Sequence, residues 1–250
     1  MTMPETQQLF IVQGPIQELR VSPDIAKLIF DLQTEAFVSG VFSGFAGQAG
    51  VAANSASVAM YDGEDVEHLA LLINDKLVVG TFEWLRNLNV GDQVTLVVST
   101  IDDGPLFAHA ILRSNDQLLW TPFSVDHTRR GWILHAVKLG LLGLIGTWLM
   151  LGSFYILGSR PTAEVMAWTF VFSILLITFV VSMSTMGVMH LGVQAEAIFQ
   201  ALKVPKFEQF RIKPYSLLRM RSANDADRFR KGHIFYFADA LSAHKKKFRL

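Results

Sequence analysis

Two stretches of the chain carry no charge for long enough to constrain everything around them. Leu139 to Leu157 is nineteen residues (LGLLGLIGTWLMLGSFYIL) and Ala167 to Met189 is twenty-three (AWTFVFSILLITFVVSMSTMGVM). A helix rises about 1.5 Å per residue, so each can cross about 30 Å of hydrocarbon. The competing assignment is a pair of core helices in a soluble bundle, but those normally keep a polar stripe on one side. In the second stretch Thr169, Ser173, Thr178, Ser182, Ser184 and Thr185 fall on two opposite sides of the helical wheel. Two membrane spans are therefore expected. The nine residues between them, Gly158 to Met166, hold Ser159-Arg160-Pro161-Thr162 and suffice only for a turn, which makes the spans an antiparallel helical hairpin over residues 132–190.

The flanks set an orientation. Arg129, Arg130 and Lys138 precede the first span and Lys203, Lys206, Arg211 and Lys213 follow the second, while the turn holds only Arg160. Basic residues near span ends stay cytoplasmic, so both long segments are expected in the cytoplasm and the turn outside. Trp132, Trp148, Tyr155 and Trp168 lie near the span ends, where amphipathic rings favour the headgroup layer. His135 and Lys138 read as snorkelling flank residues. Met1 to Gln13 shows neither a basic residue nor a long apolar run, so the spans are expected to address the chain to the membrane. Within the hairpin Gly140, Gly143 and Gly146 recur every three residues, and Gly187 adds a small surface to the second span; such residues let helices in lipid approach closely.

Net charge is zero, with 22 basic and 22 acidic residues, but the sum hides a division: residues 1–127 hold 5 basic and 16 acidic, residues 128–250 hold 17 and 6. The acidic part reads as a β-rich cytoplasmic domain. Short apolar runs at Gln8–Val12, Ile16–Val21, His68–Ile73, Lys76–Phe82, Gln93–Thr100, Leu106–Arg113 and Gln117–Phe123 are separated by turn formers such as Asn74-Asp75 and Asp102-Asp103-Gly104. The expected fold class is thus an α+β membrane protein: an N-terminal antiparallel β meander or small barrel, a two-span hairpin, and a mixed basic C-terminal segment over residues 191–250. In that last segment Gln194–Leu202 extends the second span, Arg230–Phe237 reads as a strand, and Ala238–Phe248 as a helix ending in Lys245-Lys246-Lys247. Arg129, Arg130, Lys203, Lys206 and these three lysines are candidates for anionic headgroups, each nearby cation contributing about 1 kcal/mol. Nucleic acid is not expected, since no aromatic-basic motif accompanies the charge; pairing with the acidic domain is the other alternative.

Ala36 to Ala59 has the least ordinary composition, twenty-four residues without a charge and with four glycines, Gly40, Gly44, Gly47 and Gly50. It is either a weakly apolar membrane-active segment or a loop or helix of the soluble domain. Catalytic signatures are missing from the sequence: there is no Gly-x-Ser-x-Gly elbow, no phosphate-binding glycine loop, no His-Glu-x-x-His and no cysteine, and the seven histidines show no ligand spacing. Asp62-Gly63-Glu64-Asp65 lacks the rest of a calcium loop. No enzymatic activity, cofactor or metal is expected.

The order of these features resembles proteobacterial membrane proteins catalogued as type VI secretion system effectors. The likeness rests on Gly14-Pro15-Ile16-Gln17-Glu18-Leu19, the Ala/Gly-rich stretch, Gly91-Asp92-Gln93-Val94, Ala110-Ile111-Leu112-Arg113, Arg130-Gly131 and the hairpin, over roughly residues 9–190; it departs at Ser114, where a proline is expected. It implies a contact-dependent antibacterial system at the bacterial inner membrane. A membrane-acting, self-associating and pore-forming effector is the first expectation. The alternatives are an immunity or accessory protein whose β-domain binds a cognate toxin, and a membrane-anchored β-module with no antibacterial role.

Overall fold

The computed structural model describes residues 8–24, 26–28, 30, 66–100, 105–122, 125–156, 162–220 and 231–249. The Ala/Gly-rich stretch with Gly40, Gly44, Gly47 and Gly50 lies outside the described residues, as does the turn at 157–161. Eight strands are formed: β1 (Phe10–Pro15), β2 (Glu18–Ser22), β3 (Val66–Ile73), β4 (Lys76–Glu83), β5 (Gln93–Thr100), β6 (Leu106–Arg113), β7 (Leu118–Trp120) and β8 (Ile234–Tyr236). Among the described residues, 26–28 and 30 are helical, and the other α-helices are α1 (Arg129–Ile156), α2 (Ala163–Ala201), the single turn α3 (Leu217–Met220) and α4 (Phe237–Phe248).

The strands begin and end where the turn chemistry places them. Asn74 and Asp75 both take left-handed backbone angles, φ 49° and 57°, and close β3 onto β4 with Ile73 opposite Lys76. That is the two-residue hairpin that Asn and Asp favour, because their short polar side chains tolerate positive φ. The order, however, is not a meander. The strands run β1-β5-β6-β4-β3-β2, and β4 meets β6 in parallel at Val78↔Leu106 and Val79↔Phe107. The expected all-antiparallel sheet is corrected to a mixed one. The cause lies in the first strand: β5 crosses over to pair with β1, which leaves the free edge of β4 to β6, the next strand running in the same direction.

β1 and β2 are one bent strand serving two neighbours. Ile16 donates its N–H to Asp92 O at 3.0 Å, on the β5 side, and Gln17 donates to Leu72 O at 2.9 Å, on the β3 side. The pairings therefore close into a circuit. Alternation then sorts side chains between two cores. Leu96, Val98, Ile111, Trp120 and Ile234 join Val12, Leu69, Leu71 and Val78 in one cluster; Val97, Ala110, Leu119 and Phe235, one residue out of phase, join Ala195, Ile198, Phe199, Phe210 and Phe237 in the other. The second cluster is where α2 and α4 cover the sheet. Since β8 pairs with β7 at Leu119↔Phe235, the acidic and basic segments complete one sheet rather than two separate bodies.

α1 and α2 are long and apolar enough to cross a membrane. Their large apolar side chains, among them Leu141, Leu149, Met150, Phe172, Leu175 and Phe179, are exposed on the helix pair. The two helices touch along rows of residues four apart. A methyl group at Gly140 would lie 2.7 Å from Val181 Cγ2, and Trp148 meets Phe170 edge-on with ring centroids 5.2 Å apart. Gly143, Gly146 and Gly187 stand away from this contact, with no heavy atom within 4 Å of a built Cβ. Of the four glycines expected to pack the hairpin, only Gly140 does so within one chain. Gly140→Leu should accordingly loosen disulfide crosslinking between cysteines placed on facing positions of α1 and α2, while Gly143→Leu should leave it unchanged; equal loss in both variants would contradict this packing.

Candidate functional site at the base of the helical pair

α2 does not stop where its apolar stretch ends. It runs unbroken for 39 residues, and its last turns bury Ala195, Ile198 and Phe199 against the sheet. At that junction α1 begins. Thr128 accepts the Gly131 N–H on its Oγ1 at 3.3 Å and caps the helix. Glu196, with 7% of its side chain exposed, accepts both the Arg129 backbone N–H at 2.9 Å and the Arg129 Nε–H at 2.7 Å. The backbones are so close that a Cβ on Gly192 would lie 2.8 Å from the Arg129 nitrogen, which makes glycine obligatory there.

Beside this junction lies a cleft of about 370 Å³. Gly131, Leu134, His135 and Lys138 form one wall, sharing a face of α1 by their spacing of three and four; the other wall is Phe210, Arg211, Lys213, Pro214 and Arg219, from the turns that follow α2. Asp126 and His127 close the end. Asp126 is buried and accepts hydrogen bonds from His127 Nδ1 at 2.9 Å and Lys213 Nζ at 2.8 Å. Burial alone would raise the Asp126 carboxyl, but these two partners outweigh it and hold the group well below the usual carboxylate range. The His127 ring packs 4.9 Å from Trp132 and 5.7 Å from His135. Lys138, Arg211 and Arg219 have no carboxylate partner among the described residues, so the cleft carries a surplus of positive charge.

The residues expected to meet lipid headgroups lie elsewhere. Arg129 is held by Glu196, Arg130 is exposed on the first turn of α1, and Lys203 is exposed beyond α2. Lys206 and Lys247 both stack their ammonium groups on Phe248, at 4.8 and 5.3 Å, and Lys245 and Lys246 are exposed on the last turn of α4, where cations suit the helix dipole. Arg211, Lys213 and Lys138 were visible in the sequence only as flanks of two different spans. Nothing in a linear pattern brings residues some seventy positions apart to the same cleft.

A second polar cluster tests whether nucleophilic chemistry was missed. His109 Nε2 lies 2.9 Å from Ser99 Oγ, and Gln194 Nε2 lies 3.3 Å from its Nδ1. This has the contact of a serine–histidine pair, but Ser99 is only 1% exposed, so no substrate can reach it. The amide donating to Nδ1 leaves Nε2–H to donate to Ser99, a neutral ring joining β5, β6 and α2. Among the described residues no three His, Asp or Glu side chains converge as a metal site would need. The chain matches no family model, no curated protein and no solved structure.

Burial lowers the His109 pKa from 6.5 to about 4. The folded protein then favours the neutral ring, so this contribution to stability is full above the unfolded pKa and is lost as pH falls through about 4. His109→Asn should therefore lower stability at neutral pH while flattening the acid dependence between pH 6.5 and 4 by roughly 3 kcal/mol relative to the parent, read by denaturant titration at a series of pH values. Parallel curves for the two proteins would remove His109 from the account.

Proposed function

We propose that this chain is a two-span protein of the bacterial inner membrane, both ends cytoplasmic, that anchors a partner-binding β-domain at the membrane surface within a contact-dependent antibacterial system. Counting β1–β2 as one bent strand, the circuit of pairings has the order 1-2-3-5-4-1 with a parallel contact between the third and fifth strands. That is the connectivity of an OB-type Greek-key barrel, an architecture that presents its loops and one face to ligands. The antibacterial setting comes from the resemblance of the motif order to secretion-system effectors, and the partner class is a cognate toxin.

The observation that carries the anchoring role is the continuity of α2 from its apolar stretch into the buried core at Ala195, Ile198 and Phe199. A protein that inserts on arrival has to release its spans from a soluble form, whereas here the second span and the domain core are one helix. A pore also needs polar surface facing water inside lipid. The hydroxyls of Thr147, Ser153, Thr169, Ser173 and Thr185 all donate to carbonyls one turn back in their own helices. The geometry thus favours the membrane-bound companion, an immunity or accessory protein, over the pore-forming effector. The effector reading retains one supporting feature: Gly143, Gly146 and Gly187 face outward, where a second copy can pack against them.

Expression of the chain alone at high level should leave membrane potential and growth intact and should protect cells challenged with a toxin encoded beside it. Depolarisation without any partner would instead select the effector. Cysteine labelling should find position 159 accessible from outside the inner membrane and position 246 only after the cell is opened; the reverse pattern would invert the topology.

A further inference from the structure

We infer that the cleft at the base of the helical pair is a binding site for a phosphate group, presented by an anionic phospholipid whose chains lie along α1. The inference is built on the cleft's charge and on where it sits. Four cations line it, Lys138, Arg211, Lys213 and Arg219, against a single carboxylate, Asp126. That carboxylate is already occupied by Lys213 and His127, which leaves three cations facing about 370 Å³ of space. Guanidinium groups present paired N–H donors that match phosphate oxygens, and a lysine adds a mobile point charge. A pocket of this kind next to membrane helices is how lipid headgroups are held.

The choice of a lipid over a free phosphate comes from the wall that α1 supplies, and it rests on the two-span reading above. Leu134, Lys138, Leu141 and Ile145 recur at spacings of four, three and four and therefore share one face of the helix. Leu134 lines the cleft, Lys138 stands beside it, and Leu141 and Ile145 are exposed immediately above, at the start of the apolar stretch. A headgroup seated against Arg211 and Lys138 therefore has an unbroken apolar track for its chains. The cations that carry this site differ from those that attract headgroups by general proximity: none of Arg130, Lys203, Lys206 or the Lys245–Lys247 run lines the cleft.

The test uses the full chain purified in a zwitterionic detergent and in nanodiscs of phosphatidylcholine with and without phosphatidylglycerol. Lys138→Gln combined with Arg211→Gln removes two unpaired cations without touching Asp126 or Lys213; Lys245→Gln combined with Lys246→Gln removes the same charge at a remote exposed site. Circular dichroism and thermal melting check that both fold. Native mass spectrometry should show phosphatidylglycerol retained by the parent and by the α4 variant, and retention reduced about tenfold or more in the cleft variant. Inorganic phosphate, titrated calorimetrically against the lipid-free protein, should bind much more weakly than the lipid. If phosphate alone binds as tightly, and only the cleft variant loses it, the site holds a soluble phosphate compound and the lipid assignment falls. If both variants lose lipid equally, or neither does, the cleft is not the site. Fractionation of cells tests the membrane reading separately: a chain found wholly soluble would overturn the anchor and leave the phosphate titration to decide the cleft.

Discussion

Everything in this molecule turns on one close approach, the start of α1 against Gly192 of α2. A side chain at that position would collide with the Arg129 backbone, and Glu196 one turn later receives both donors of Arg129. A carboxylate buried to this degree is tolerated only when its acceptor sites are filled. Here they are filled by the first residue of the neighbouring helix. The register of the helical pair, the direction in which it leaves the sheet and the position of the cleft wall are all consequences. Because α2 ends inside the second core, the pair is fixed to the domain through packed side chains and not through a linker.

The closure of the sheet depends on a second convergence, and it explains what the resemblance motifs do. Gly91, at φ 89°, donates its N–H to Ile16 O at 2.8 Å, and Ile16 in turn donates to Asp92 O. Arg113 binds Asp92 at 3.2 Å and Asp116 at 2.6 Å, reaches the Asn87 carbonyl, and lies 5.2 Å over the Trp120 ring. Gly14 sits where a Cβ would meet Asn74 Oδ1 at 2.8 Å. Thus Gly14, Ile16, Gly91, Asp92 and Arg113, drawn from three separate motifs, meet at the point where the bent first strand passes from β5 to β3. Their physical role is to shape and lock the sheet. A likeness carried by such residues speaks to fold before it speaks to activity.

What could be read in advance follows from the range of the interactions involved. Asn74-Asp75 and the Gly91-Asp92 turn are local, so strand limits at β3, β4, β5 and β6 fall within two residues of those expected from composition. The α4 helix falls within one residue of the expected Ala238–Phe248, whereas β8 covers only Ile234–Tyr236 of the strand expected over Arg230–Phe237. The parallel pairing of β4 with β6 was not, because it depends on β5 leaving its neighbour for β1, a choice made by the closure and not by any single strand. The glycine spacing left open which position meets the partner helix. Gly140, Gly143 and Gly146 are indistinguishable by sequence, but a helix turns about 100° per residue, so positions two steps of three apart cannot both face one partner. The cleft was invisible because its walls come from opposite ends of the hairpin.

The opposite charges of the two halves need an account that direct pairing does not give. Among the described residues Lys213 and Asp126 form an ion pair between them, and His233 Nδ1 lies 2.8 Å from Glu83 Oε2. The other contacts of this kind among the described residues stay within one half: Arg113 with Asp92 and Asp116, Arg86 with Glu67, His127 with Asp126, and Arg129 with Glu196. Among the described residues the two segments are joined chiefly by β7–β8 pairing and apolar burial. Lys138, Arg211 and Arg219, which have no carboxylate partner among the described residues, line the cleft at the base of the apolar helices. In a two-span protein, charges at that position bear on two separate events. On the proposed two-span reading they favour cytoplasmic flanks during insertion, and in the folded protein they line the cleft. On that reading one set of residues, Lys138 ahead of the apolar stretch of α1 and Arg211 and Arg219 after α2, serves both purposes.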